Sequence, residues 1–495
     1  MWNENEITRL NFVCVILTTI IQKYDLKDND ESFTATQNDI FDTNFELRGM
    51  YPAINASYND TIQLDSIHQL YFEEYRTSSY PNGKVALSLH GGPGAGSFPN
   101  HARFFSPDLY GTIILYDQRG CGKSKPKHNS ENKTNYDNLL IQNNTLKHLV
   151  DDIETLRLHL GIDKWDLILG GSWGSTLALA YAQTYANLVK TMVLRGVCLF
   201  RNEEIDWLFS NQGMAKLNPS GWNSLEESVQ TIVAENNEIE SKESHRRTLH
   251  LLYHLMLGND PIARFAAAKA WFQWEMSASS FHKQHLSANK NKTNEATTNN
   301  DINHVVIEWN PSQRSWFRIE TSKDRLMKTQ INDPSVDDNY KDLYQWKRQD
   351  NLGTTGTIVD DYQNLTNEEL SIKPVLKLDN KGNITAILNL THDQVSFATS
   401  FIPSQAMLTC FYSVNNEILC QDFSFLSSST IQRVSDIPCI AIQGGKDHIC
   451  PLDTAMDLNK AWPSMQLRIP LNAGHSMYDP AITHELVEAT DFFGK

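Results

Sequence analysis

The stretch "DLILGGSWGSTLALAYA", residues 166–182, decides how this chain folds. An apolar run stops at Gly170-Gly171, a single serine stands at Ser172, and Trp173-Gly174 opens a segment of helical character. G-x-S-x-G between a strand and a helix is the pattern of a serine held on a strained turn with its hydroxyl exposed. Glycines flank such a turn because side chains there would strike the sheet. The helix that follows aims the positive end of its dipole at a developing oxyanion. The five letters alone also fit a plain glycine-rich turn; the strand before and the helix after favour a nucleophile.

Outward from this turn the chain alternates. "KVALSLH" (84–90) and "TIILYDQ" (112–118) are apolar runs that each end at glycines, as buried parallel strands do. Residues 145–160 place Leu146, Leu149, Val150, Ile153, Leu156 and Leu160 on one helical face, with Asn144 or Thr145 as cap. A strand (165–170), a helix (174–186) and a strand (190–197) follow. The alternation returns in a strand (437–445), a helix (453–462), a strand (465–471) and a helix (482–493). The expectation is an α/β fold with a mostly parallel sheet covered on both faces, opened by a hairpin within 62–75. Between the halves, 200–435 reads as helical, most clearly in "ARFAAAKAWFQWEMS". Inside it, 283–303 is Asn-rich and expected to lack packed structure, while 304–395 holds aromatics and short apolar runs able to fold in part. Residues 1–44 read as an extension.

Composition narrows the function classes. Forty per cent hydrophobic residues and eleven tryptophans over 495 positions describe a folded chain, and a net charge of -16 argues against nucleic acid as a partner. Seven scattered cysteines without zinc-type spacing suggest free thiols in a reducing, cytoplasmic setting. The apolar stretch 11–21 is too short to span a bilayer and lacks the basic start of a secretory signal, so no membrane association is expected. No His/Asp/Glu cluster has metal-ligand spacing, so neither metal nor cofactor is expected.

A nucleophilic serine needs a base and an orienting acid, in the chain order Ser, acid, His for this strand–turn–helix arrangement. Asp447 in "IQGGKDHICP" follows one expected strand, and His475 in "NAGHSMYD" follows the next, both at carboxyl ends where sites of open α/β sheets gather. His448 and His90 are rival bases, but His448 adjoins the acid and His90 precedes a glycine loop. That loop, "LHGGPGAG" (89–96), suits an oxyanion hole, with the N–H groups of Gly92 and Trp173 as donors. Arg119 in "YDQRGCGKS" is expected in a buried structural ion pair.

"HGGPGAG", "YDQRGCGKS", "NNTLKHLVDDIETLR", "GGSWGSTLALAYAQ", "MVLRGV", "AAAKAWFQWE" and "AGHS" together resemble the prolyl aminopeptidase (proline iminopeptidase) family, serine peptidases of α/β-hydrolase fold. The likeness runs over about 45–282 and 396–495. It implies a core of 45–199 and 436–495, and a helical cap over 200–435 carrying an insertion at about 283–395. It also implies removal of proline from peptides with a free N-terminus, without a cofactor. Glu275 matches a family acid that holds the substrate's amino group, and Gly91 lies in the loop that borders the substrate. Two positions depart from the family pattern. Cys198 in "LRGVCLF" stands where an aromatic is usual, and Thr409 in "LTCFYSVNN" stands where a second acid is usual. A looser hold on proline follows, which keeps open an esterase or amidase with a rebuilt pocket. A non-catalytic peptide-binding protein is the reading from another class, set against all three catalytic roles being filled.

Overall fold

The computed structural model describes residues 46–77, 83–126, 136–235, 245–258, 260–290, 302–322, 325–343, 376–378, 384–387 and 402–495. Two strands open it as an antiparallel hairpin, β1 (Tyr58–Gln63) and β2 (Gln69–Arg76). Next in the chain are β3 (Lys84–Leu89), β4 (Tyr110–Asp117), β5 (Leu167–Gly171) and β6 (Met192–Arg195). Later come β7 (Ile302–Asn310), β8 (Ser315–Ser322) and β9 (Arg325–Ile331), a small hairpin of β10 (Leu376–Leu378) and β11 (Ile384–Ile387), then β12 (Cys439–Ile442) and β13 (Gln466–Pro470). One sheet runs in the order β1-β2-β4-β3-β5-β6-β12-β13-β7-β8-β9. Its centre, β4 through β13, is parallel throughout.

The central strands are buried on both faces, and their near-continuous apolar text has that cause. Alternate residues divide between two layers. Ile114, Ile168 and Leu194 pack with helices α1 (Leu146–His159), α2 (Trp173–Thr184) and, further along the sheet, α8 (Leu452–Ala461). Ile113, Leu115, Leu167, Leu169 and Val193 pack with α9 (Pro480–Gly494), through Ile482, Leu486 and Val487. Each fully buried Leu, Ile or Val contributes about 1.5–3 kcal/mol. Thr145 caps α1 by accepting the His148 N–H at 3.3 Å.

After β6 the chain forms α3 (Asn202–Phe209), α4 (Pro219–Glu235), α5 (Arg247–Leu257) and α6 (Pro261–Lys290), and later α7 (Ile402–Val414). α6 packs against α4, α5 and α7, with Trp271 and Trp274 fully buried in that contact.

The expectation of a helical cap over 200–435 is corrected within its insertion. β7, β8 and β9 extend the core sheet, β7 pairing antiparallel with β13 in the register Ile469↔Ile307. The cause is the exposed edge of β13, whose open N–H and C=O groups recruit the β-branched run Val305–Val306–Ile307. Side chains fasten the join: Trp309 Nε1 donates to the Pro463 carbonyl at 2.9 Å, and Gln466 Nε2 donates to Glu308 at 2.9 Å. The structureless reading of 283–303 is corrected at both ends, since α6 continues to Lys290 and β7 begins at Ile302. Residues 1–44 and 291–301 lie outside the described residues.

Arg119 is buried, with Nε donating to Asp152 Oδ2 at 2.7 Å and Nη2 paired to Oδ1. Its Nη1 reaches the Asn143 carbonyl at 2.6 Å and Asp65 at 3.2 Å. Asp152→Ala leaves this guanidinium short of its main counter-charge, so urea unfolding should show a loss of about 3–5 kcal/mol.

Candidate active site

Ser172 stands between β5 and α2, as the N-cap of α2, with φ 56° and ψ −125°, a backbone conformation rare for a residue with a side chain. The turn is held by Ser172 N–H donating to the Arg195 carbonyl at 2.7 Å and by Ser175 N–H donating to the Ser172 carbonyl at 2.7 Å. The glycines answer to close approach. A Cβ on Gly170 would lie 2.3 Å from the Gly174 carbonyl oxygen, and one on Gly174 would lie 2.2 Å from the Leu89 oxygen. Gly174→Ala therefore pushes α2 off β3. The expected loss is about 3 kcal/mol, read by thermal unfolding, with a fall in soluble yield.

The three side chains expected to act together meet. Ser172 Oγ lies 3.2 Å from His475 Nε2, and His475 Nδ1 lies 2.8 Å from Asp447 Oδ2. Asp447 is fully buried, and its other oxygen accepts the N–H groups of Ile449 at 3.0 Å and Cys450 at 2.9 Å. Burial by itself would raise its pKa. His475, the Cys450 N–H and Arg195 outweigh that and hold the carboxyl below its ordinary range. The rivals sit elsewhere: His90 holds the Gln118 N–H at 3.0 Å, and burial pushes it down to about 4. The His448 ring stacks edge-on to Phe281.

Each of these groups follows the carboxyl end of a parallel strand: Gly91 and Gly92 after β3, Ser172 after β5, Asp447 after β12 and His475 after β13. Gly91 and Gly92 lie beside Ser172; a Cβ on Gly91 would be 3.3 Å from the serine Cβ. Trp173 N–H lies in the first turn of α2, and its indole Nε1 donates to Gln118 Oε1 at 3.0 Å, which fixes the ring beside the loop.

Ser172 opens into a pocket lined by Gly92, Cys198, Glu275 and Thr409, all four expected from the sequence. Phe200, Ile205, Leu208, Phe209, Trp271 and Ile449 supply its apolar wall. Thr409 lies in α7 and donates its hydroxyl to the Pro93 carbonyl at 3.3 Å, so it braces the glycine loop. Three neighbours were missed by sequence reasoning. Glu204 borders the pocket, but its oxygens accept the N–H groups of Leu199 (2.8 Å) and Phe200 (2.9 Å) and pair with Arg201 (2.7 Å). Arg195 Nη1 donates to the His475 carbonyl at 3.0 Å and lies 3.3 Å from its Nε2. Cys450 places its sulfur 3.9 Å from Ser172 Oγ. Only the Arg195 side had a local signal, the "LRG" text that ends β6.

Among the described residues, the side chains grouped like metal ligands are His304, His484 and Glu485. They form a hydrogen-bonded tie between β7 and α9, with His304 Nε2 2.9 Å from Glu485. Arg468 already donates to Glu485 at 3.2 Å, and the Arg48 N–H donates to His484 Nδ1 at 3.0 Å. A metal there would sit against a guanidinium and displace a backbone donor.

Residues 87–481 match the family model described as alpha/beta hydrolase fold. The proline iminopeptidase of Xanthomonas citri is 30% identical over 90% of this chain and 100% of its own. That of Neisseria meningitidis serogroup B is 30% identical over 89% of this chain and 98% of its own. The Arabidopsis thaliana proline iminopeptidase is 29% identical over 90% of this chain and 82% of its own. An α/β hydrolase core with a serine at its elbow, matched along 82–100% of the length of these relatives, places the chain in the proline iminopeptidase family of α/β hydrolases.

Proposed function

We propose that the protein is a serine aminopeptidase that releases N-terminal residues, proline foremost, from peptides with a free amino terminus. The observation that carries this reading is the Ser172–His475–Asp447 chain of contacts, 3.2 and 2.8 Å, opening into a pocket that contains Glu275. His475 Nε2 accepts the Ser172 proton as the serine oxygen attacks the carbonyl of the N-terminal residue. Asp447 holds the imidazole in the required tautomer and stabilises the imidazolium. The Gly92 and Trp173 N–H groups receive the oxyanion, and His475 then protonates the departing amine. Water, deprotonated by the same histidine, releases the acyl group.

Glu275 lines the pocket, and we assign its carboxylate to the substrate's ammonium on the family match of its position; Glu204 holds two backbone N–H groups and Arg201. A desolvated ammonium without a counter-charge is strongly disfavoured. Glu275→Gln should therefore raise KM for unblocked proline arylamide by about tenfold to a hundredfold, with a smaller change in kcat. The test is a panel of aminoacyl arylamides with free and blocked amino groups. Equal cleavage of blocked substrates would sink the aminopeptidase reading and favour a general amidase or esterase. The six described cysteines are unpaired, and no helix among the described residues is long and apolar enough to cross a membrane; the thiols support a reducing, cytoplasmic setting.

A further inference from the structure

The two arms of the proposed oxyanion hole come from different parts of the chain. Gly92 lies in the loop after β3, and Trp173 opens α2. The loop has little stiffness of its own, since Gly92, Gly94 and Gly96 all adopt positive φ, at 120°, 84° and 77°. Its N–H groups keep a fixed distance from that of Trp173 only if contacts from outside the loop hold it there.

Gln118 follows β4, is buried, and bonds to both arms at once. Its side-chain Nε2 donates to the His90 carbonyl at 3.1 Å, at the root of the loop. Its Oε1 accepts the Trp173 indole N–H at 3.0 Å. Its backbone N–H donates to His90 Nε2 at 3.0 Å. The His90 ring in turn closes the loop, with Nδ1 2.8 Å from the Gly91 carbonyl and 3.2 Å from the Gly96 nitrogen. An amide suits this place because it offers a donor and an acceptor without charge. A carboxylate would set a negative charge against the His90 carbonyl, and a hydrocarbon would satisfy neither group.

We infer that Gln118 is a positioning residue, which ties the Gly92 arm of the oxyanion hole to the Trp173 arm and sets their separation. The inference rests on the proposed function for the roles of those two N–H groups. Gln118 acts through His90 and Trp173 rather than on the substrate. The hole is used most when negative charge builds on the carbonyl oxygen, so loss of the tie should lower kcat and leave KM nearly unchanged. A displacement of about 1 Å in such a site costs about 10²-fold in rate.

The test uses the full chain carrying Gln118→Met, which keeps the length of the side chain and removes both of its bonds. Turnover of unblocked proline arylamide should fall about 10²-fold, with KM within about threefold of wild type. Prolinal, an aldehyde that adds to serine and puts its oxygen in the hole, should lose affinity by the same factor as kcat/KM. Prolinol, which has the ring and amine but no carbonyl, should bind as before. A merely structural role would weaken both alike. Trp173→Phe keeps a ring and the backbone N–H but removes the bond to Oε1. It should lower kcat as well, and its loss should not add to that of Gln118→Met, because the two substitutions cut one tie. Trp173→Phe carries the test if Gln118→Met does not fold.

A folded Gln118→Met protein with kcat within about threefold of wild type would overturn the inference. Equal losses of prolinal and prolinol affinity, or fully additive losses in the double variant, would do the same. Labelling of Ser172 by a fluorophosphonate calls on the same hole without any peptide substrate, and should slow about 10²-fold in Gln118→Met. A wild-type chain that takes the label but cleaves no arylamide would overturn the proposed function, and the labelling ratio would still decide the role of Gln118.

Discussion

Ser172→Ala is expected to reduce turnover of unblocked proline arylamide by about 10⁶-fold while the protein stays folded. The substitution removes one oxygen whose contacts are His475 Nε2 at 3.2 Å and Cys450 Sγ at 3.9 Å, neither of which holds the sheet together. The bonds that do hold the elbow use the Ser172 backbone: its N–H to Arg195, and its carbonyl to Ser175. Alanine keeps them and bears the same positive φ, so the stability change should stay within about 1 kcal/mol. The neighbouring Cys450 cannot substitute as nucleophile, since its thiol is held protonated. Steady-state kinetics beside thermal unfolding checks both halves. A residual rate within a hundredfold of wild type would remove Ser172 from the mechanism.

Asp447→Asn should lower kcat by about 10⁴-fold with little change in KM. An amide at this position donates to His475 Nδ1 where the carboxylate accepts from it. The imidazole proton then sits on Nε2, the atom that must take the serine proton. The other side-chain oxygen can still accept the Ile449 and Cys450 N–H groups, so the loop should keep its shape. In the wild type, His475, the Cys450 N–H and Arg195 overcome the effect of burial and keep Asp447 ionised below the ordinary carboxyl range. The sign follows directly: as pH falls, Asp447 holds its charge past the point where a free carboxyl would lose it. The acid limb of kcat/KM should accordingly have the slope of one ionisation, that of His475. A limb of slope two would show Asp447 losing its charge in the same range.

How far these residues were readable from the chain depends on how local their signals are. The elbow was readable because a strand, a tight turn and a helix fall within "DLILGGSWGSTLALAYA", and each leaves a mark in neighbouring letters. Asp447 and His475 were readable because each follows an apolar run that stops abruptly. β7 was not. Its text, "INHVVIEWN", follows an Asn-rich stretch and resembles a spacer until the open edge of β13 is there to receive it. Glu204 was also hidden, since what marks it is a turn that folds Leu199 and Phe200 back onto its carboxylate.

By itself the sequence determined the α/β alternation, the place of the strained serine and the chain order of its partners. Hydrophobic period and glycine freedom act over a few residues, so these features are written locally. Only the tertiary structure decided that the insertion lengthens the sheet, that Thr409 braces the glycine loop, and that Cys450 lies beside Ser172. Those contacts join segments far apart in the chain, and each exists only because the packed sheet brings its strand ends to one edge.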